Sequence, residues 1–263
     1  MNENVKYGAA GLAVVALSIG AVVYISQRGH KPPEAPPAKV APAAAAPAEP
    51  EVQYPVETPP APEPLPALNQ SDEPVLKALA GVIGKAPVDQ FVVPEDVIRK
   101  VVVTIDNLPT TKVAERLRPV KPVMGRFATA GNENALTLDP ANYDRYKPMV
   151  DLVRSLNEDQ LIALYQRYYP LFQDAYENLG HPPKYFNDRV IQVIDHLLGT
   201  PELKDPVALA QPNVQFEYAD PKFESRSAGQ KVLMRMGSAN AAVVKAKLRS
   251  LRARLAQQKP AAK

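Results

Sequence analysis

Between Tyr7 and Gln27 no charged side chain interrupts YGAAGLAVVALSIGAVVYISQ, a run of 21 residues. At a rise of about 1.5 Å per residue, such a helix is roughly 30 Å long, the thickness of a bilayer's hydrocarbon core. Tyr7 and Tyr24 stand near its two ends, where amphipathic rings favour the membrane–water boundary. A cleaved signal peptide has an apolar core of about 7–15 residues closed by a small-residue cleavage site. Tyr24-Ile25-Ser26-Gln27-Arg28 is a poor site of that kind. The pattern therefore predicts an uncleaved transmembrane helix over 7–27, after a tail of residues 1–6. Positive charges flank it on both sides (Lys6 before, Arg28 and Lys31 after) and do not decide orientation. So short an N-terminal tail points to a cytoplasmic N-terminus with the rest of the chain exported.

Apolar periodicity then disappears. Residues 28–68 read as a linker, whose stretch 32–67 is dominated by Pro, Ala, Glu and Val and contains no Gly. Proline removes backbone donors and fixes φ, which excludes helix interiors and sheet ladders and favours polyproline II and coil. At about 3.1 Å per residue this spacer reaches up to roughly 110 Å. Runs resembling PxxP also allow a second use, as a ligand for aromatic grooves.

Helical periodicity takes over near Leu68. Ser71-Asp72-Glu73-Pro74 has the signature of a helix start, and Val75, Leu76, Leu79 and Val82 continue it. Pro94-Glu95-Asp96 opens a second helix with Val97, Ile98, Val101, Val102 and Ile105 on one face. The β-branched run Val101–Ile105 also admits a strand. Residues 109–140 are broken by Pro119, Pro122, Gly125 and Gly131, and suggest a small hairpin of 126–129 with 135–138. Asp139-Pro140 caps a helix through Tyr143, Tyr146, Met149, Val150, Val153 and Leu156. Asn157-Glu158-Asp159-Gln160 has capping-box spacing for the next, which reaches Gly180 with an expected bend at Pro170. Pro182-Pro183 starts another, carrying Phe186, Val190, Ile191, Val193, Ile194 and Leu197 inward. Val214–Tyr218 suggests one more short strand. The tail returns to helix after a break near Gly237-Ser238.

The expected fold is thus mainly α with minor β. One multi-helix globular domain occupies 69–236, and a basic amphipathic helix and tail occupy 237–263.

Composition sharpens this picture in two places. The absence of Cys excludes disulfides, thiolate metal sites and a cysteine nucleophile. The net charge of +3 conceals an asymmetry, because residues 225–263 carry ten Lys/Arg and no Asp or Glu; the remainder is therefore 3 − 10 = −7.

Motifs for chemistry are scarce. The three histidines, His30, His181 and His196, lack HxxxH or HExxH spacing, so no metal site is expected. No P-loop, GxGxxG or credible serine-nucleophile motif is present, and neither catalytic nor cofactor-binding residues are assigned. A hydrolase needs only two carboxylates and no motif; Asp188 and Asp195 are then the acids of interest. Seven of the eleven tyrosines lie between Tyr143 and Tyr185. Tyr165, Tyr168, Tyr169, Phe172 and Tyr176 follow helical spacing, which reads first as core. In the tail, Ala241, Val244, Leu248, Leu251 and Leu255 form a narrow apolar seam flanked by Lys245, Lys247, Arg249, Arg252 and Arg254. These five cations are the candidate contacts for an anionic lipid or a partner protein. The competing reading packs the seam on the chain's own acidic domain.

The order of LNQSDEPVLKAL, VTIDNLP, RPVKPVMGRF, LDPANYDRYKPMVDLV, HPPKYFNDRVIQVIDHLL and GQKVLMRMGSANAAVVKAKL, behind an anchor and a Pro/Ala tether, resembles a family of uncharacterised bacterial envelope proteins classed as a domain of unknown function. The resemblance spans 69–257. It implies a bacterial origin and a shared fold, and it carries no activity or catalytic residue with it.

Anchor and tether together suggest a non-enzymatic scaffold, adaptor or binding module at the bacterial inner membrane, with its domain in the periplasm. The expected partners are the bilayer through 7–27 and an envelope protein, wall polymer or anionic lipid, with no nucleic acid. The alternative is a tethered hydrolase of wall or lipid substrates.

Overall fold

The computed structural model describes residues 52–59, 63–132, 135–212 and 214–257. The predicted membrane helix over 7–27 and most of the linker lie outside them. Among the described residues no helix is long and apolar enough to cross a membrane.

Nine α-helices dominate the described residues: α1 Asp72–Ile83, α2 Lys85–Phe91, α3 Val97–Asn107, α4 Ala141–Ser155, α5 Glu158–Glu177, α6 Phe186–Leu198, α7 Pro221–Glu224, α8 Ala228–Arg235 and α9 Ser238–Ala256. Short strands β1 Thr129–Ala130 and β2 Thr137–Leu138 pair antiparallel, as do β3 Leu209–Ala210 and β4 Glu217–Tyr218. A bridge between Thr137 and Ala208 joins the two ribbons. Both expected strand regions are present, each reduced to two paired residues.

Side chains cap some helix starts and not others: Ser71, before α1, makes no cap bond and donates to the Leu68 carbonyl at 2.8 Å. Asp139 accepts from the Ala141 amide at 2.8 Å and Asn157 from the Gln160 amide at 3.0 Å, as the capping pattern predicted. Asp96, by contrast, adopts left-handed φ and makes no cap bond of its own. Asp72, the first residue of α1, instead accepts from the amides of Asp96 and Val97, each at 2.8 Å. One carboxylate thus serves the start of α3 from a neighbouring helix. Val101–Ile105 is helical, because Val97, Ile98, Val101, Val102 and Ile105 are all buried and α3 packs along α5. Tertiary burial outweighs the weak strand preference of β-branched side chains. α5 runs unbroken through Pro170. α6 begins at Phe186 rather than at Pro182-Pro183, with Lys184 and Tyr185 intervening.

The core is continuous from Val75 in α1 to Leu255 in α9. The tyrosine stripe belongs to it: Tyr165, Tyr168, Tyr169, Phe172 and Tyr176 are all buried. A smaller apolar cluster under the strands joins Leu138, Val207, Leu209, Tyr218 and Met234.

Two boundaries drawn on the sequence differ from the structure. The first concerns α9, which is no appendage: it lies against α4 and α6 and buries Ala241, Val244, Leu248, Leu251 and Leu255. The amphipathic seam found its complement within the chain, so the domain extends past 236. The second concerns the end of the linker, where Tyr54, Val56 and Leu65 pack on the core. Ordered packing therefore begins well before residue 69.

Candidate functional site

The five tail cations are distributed along α9 with different fates. Lys245 is buried and donates to the Thr200 carbonyl at 2.6 Å. Lys247 donates to the Leu156 carbonyl and pairs with Glu158, both at 3.0 Å. Arg254 pairs with Glu158 and Asp159, and Arg252 grips both oxygens of Asp195. Only Arg249 is exposed with no partner among the described residues. Burial alone raises the Glu158 pKa, but hydrogen bonds from Ser250 and Lys247 and the charges of Lys247 and Arg254 outweigh it. The net shift is downward, so the carboxylate stays ionised. The acidic surface that neutralises the tail is thus the domain's own, on α5 and α6.

The larger concave feature lies elsewhere, on the outer side of α6 where it meets the end of α3. It is an open groove of about 720 Å³, lined among others by Asp106, Tyr176, His181, Lys184, Asp188 and Gln192. Asp106, near the C-terminal end of α3, is its centre. Its carboxylate bonds His181 Nε2 at 3.1 Å and accepts from Arg189 Nε at 2.8 Å. Arg189 also donates to the Asp106 carbonyl at 2.7 Å and to Gln192 Oε1 at 2.6 Å. A guanidinium held at three points cannot swing, so Asp106 and the end of α3 are fixed relative to α6. The His181 ring stacks on Tyr176, with centroids 4.7 Å apart. The Tyr176 phenol is raised in pKa by burial first and by the Asp106 charge second, and remains neutral. Lys184 stands exposed at the rim with no ion pair among the described residues.

The groove already holds one piece of chain. Asp188 accepts from the amides of Gln53 at 3.0 Å and Tyr54 at 2.8 Å. The Tyr185 hydroxyl accepts from the Val56 amide at 2.7 Å, and Asn187 Nδ2 donates to the Tyr54 carbonyl at 2.9 Å. Asn187 is fully buried, and its Oδ1 accepts from the Tyr165 hydroxyl at 3.2 Å. The contact is therefore wired into the core, because an unpartnered buried amide is costly. The side chain of Asn187 has one ligand in the core and one in the docked segment.

Asp188 and Asp195, the acids considered for hydrolysis, both line this groove. Neither is free: Asp188 binds main-chain amides and Asp195 binds Arg252. The pair the fold does bring together is Asp106 with His181, 75 positions apart in the chain. Nothing in the local sequence signalled it. His196 lies beyond the groove, bonded through Nε2 to Ser227 Oγ at 2.8 Å. His30 lies outside the described residues. Among the described residues no three His, Asp or Glu converge on a metal position.

These features define a mainly helical domain with a fixed ion-pair cluster in an open polar groove. The chain belongs to the family described as Protein of unknown function (DUF3014), whose model matches residues 97–252. That span runs from the first residue of α3 into the last turns of α9, and takes in every groove residue except Gln53 and Tyr54. No curated protein and no solved structure matches the chain.

Proposed function

We propose that the protein is a membrane-anchored, tethered envelope protein whose domain works as a non-enzymatic scaffold, adaptor or binding module. The observation that carries this reading is the grip on residues 53–56. Four hydrogen bonds from or to Asp188, Tyr185 and Asn187 hold the main chain of a segment without helix or strand, while its Tyr54 and Val56 side chains pack on the core. A groove that recognises main chain, and continues past that segment to His181 and Lys184, suits an irregular or extended stretch of a partner envelope protein. In this reading the uncharged run 7–27 is the anchor in the inner membrane and the domain works on its periplasmic side.

The test uses the full chain in a bacterial strain whose own copy is deleted. Lys184→Glu reverses the charge at the exposed rim of the groove and leaves His181, Asp106 and the core untouched. The variant is expected to keep the wild-type melting temperature and lose complementation. Full complementation at normal abundance contradicts the groove as the working surface.

A second reading rests on the Asp106–His181 bond. A carboxylate that orients an imidazole in an open groove is the arrangement of a general base. This version of the hydrolase uses Asp106 and His181 in place of Asp188 and Asp195. It requires turnover of a wall or lipid-ester substrate by the full chain, lost in His181→Gln.

A further inference from the structure

A second, smaller basin of about 360 Å³ lies on the other side of the loop after α3. It is lined by Pro109, Thr111, His196, Lys222, Ser225, Arg226, Ser227 and Gln230. No carboxylate is among them. In a chain with 28 Asp and Glu, a concavity walled by two cations, three hydroxyls, an imidazole and an amide is chemically one-sided.

The one-sidedness is built by the fold. The acids nearest in sequence are each committed elsewhere. Glu224 pairs with Lys231 at 2.7 Å and accepts from the Tyr218 amide. Asp195, next to His196, is held by Arg252. Asp220 caps α7 by accepting from the Lys222 amide at 2.8 Å. Lys222 and Arg226 consequently have no carboxylate partner among the described residues. The Arg226 Nε donates to the Lys222 carbonyl at 3.2 Å, which fixes the plane of the guanidinium and leaves both Nη groups unbonded.

The floor of the basin is equally ordered. Ser227 Oγ accepts from the Gln230 amide at 3.2 Å and bonds His196 Nε2, while Gln230 Nε2 donates to the His196 carbonyl at 3.2 Å. Ser227 is buried and its hydroxyl caps α8, so it positions His196 and is not an exposed nucleophile. The first amides of α8 are themselves occupied: Ala228 donates to the Thr110 carbonyl and Gly229 to that of Leu108. Affinity for an anion therefore rests on the side chains and not on the helix terminus. Burial, and then the charges of Arg189 and Arg226, hold the His196 pKa below its ordinary value, so this ring adds hydrogen-bonding capacity without a third charge at neutral pH.

We propose that this basin binds a phosphate group. The planar fork of Arg226 matches two phosphate oxygens, Lys222 adds a point charge, and the Thr111 hydroxyl supplies a neutral donor, whereas that of Ser225 already donates to the Lys222 carbonyl at 3.4 Å. Two sources share this chemistry: a small phosphate monoester, or the phosphate of a lipid headgroup. The proposal is independent of the groove around Asp106.

The experiment is titration calorimetry on the full chain in neutral detergent, at constant ionic strength, with three probes: inorganic phosphate, glycerol 3-phosphate and short-chain dibutanoyl phosphatidic acid. Saturable binding of at least one probe is expected. Lys222→Ala and Arg226→Gln should each weaken it about tenfold, the typical loss for one charge-assisted hydrogen bond. Arg226→Lys, which keeps the charge and loses the fork, should weaken it less. Both side chains reach solvent, so the melting temperature without ligand should be unchanged. Comparable binding of all three probes assigns a small phosphate, and a preference of more than tenfold for the phosphatidic acid assigns a lipid headgroup. Absence of saturable binding by every probe overturns the proposal, and so does a Lys222→Ala/Arg226→Gln double variant that binds like wild type.

Discussion

Truncation after Gly237 is expected to abolish cooperative folding of the domain. α9 carries Val244, Leu248, Leu251 and Leu255, each with 1 % or less of its surface exposed, into the space between α4 and α6. Removing one such leucine costs about 2–5 kcal/mol in comparable cores. The three leucines and Val244 together match the roughly 5–15 kcal/mol that holds a domain of this size folded. The truncation also strips Glu158 and Asp195 of their cations, leaving half-buried carboxylates without partners. Circular dichroism should then show no sigmoidal urea transition. Had the segment been a separate lipid-binding appendage, its loss would leave the transition where it was.

Gly237→Ala should be a strongly damaging single-methyl change, costing about 3–5 kcal/mol in urea denaturation. Two penalties coincide there. The residue sits at φ +83° and ψ 156°, a region only glycine occupies readily, and it makes the corner between α8 and α9. A Cβ would also lie 2.7 Å from the Tyr143 ring. That ring cannot easily retreat, because its hydroxyl donates to Asp205 at 2.6 Å and its backbone carbonyl accepts from Asn240 at 2.9 Å. Gly180→Ala is the control: φ is +92° but nothing lies within 4 Å of the new methyl. It should cost only the backbone strain, about 1–2 kcal/mol. If the two variants lose equal stability, the packing of Tyr143 against the α8–α9 corner is not what the structure describes.

Helix identity was legible in the sequence because burial and periodicity agree: the apolar faces at 97–105, 161–176 and 186–197 are the buried faces observed. The corner at Gly237 was legible for the same kind of reason, since one glycine sits between two periodic runs. The tail's destination was not legible. An apolar seam flanked by cations has the same sequence whether its acidic complement is a lipid surface or Glu158, Asp159 and Asp195. The groove was equally hidden, because its parts come from the 50s, the end of α3 and α6. Asp106, His181 and Arg189 have ordinary neighbours, and only the crossing of α3 with α6 makes them a cluster. The docking of Tyr54 was masked by composition. A proline-rich stretch reads as spacer, and its hydrogen-bonding partners, Asp188 and Asn187, read as one charged and one neutral polar position on a helix.

The domain grips the chain that leads into it. Hydrogen–deuterium exchange of the full chain, read on the peptide containing Gln53, Tyr54 and Val56, measures that directly. In the wild type these three amides should exchange well below the free-peptide rate, and Asp188→Ala should release Gln53 and Tyr54 while the α6 core stays protected. Free-peptide exchange in the wild type would contradict the docked segment, and with it the groove as a reader of main chain.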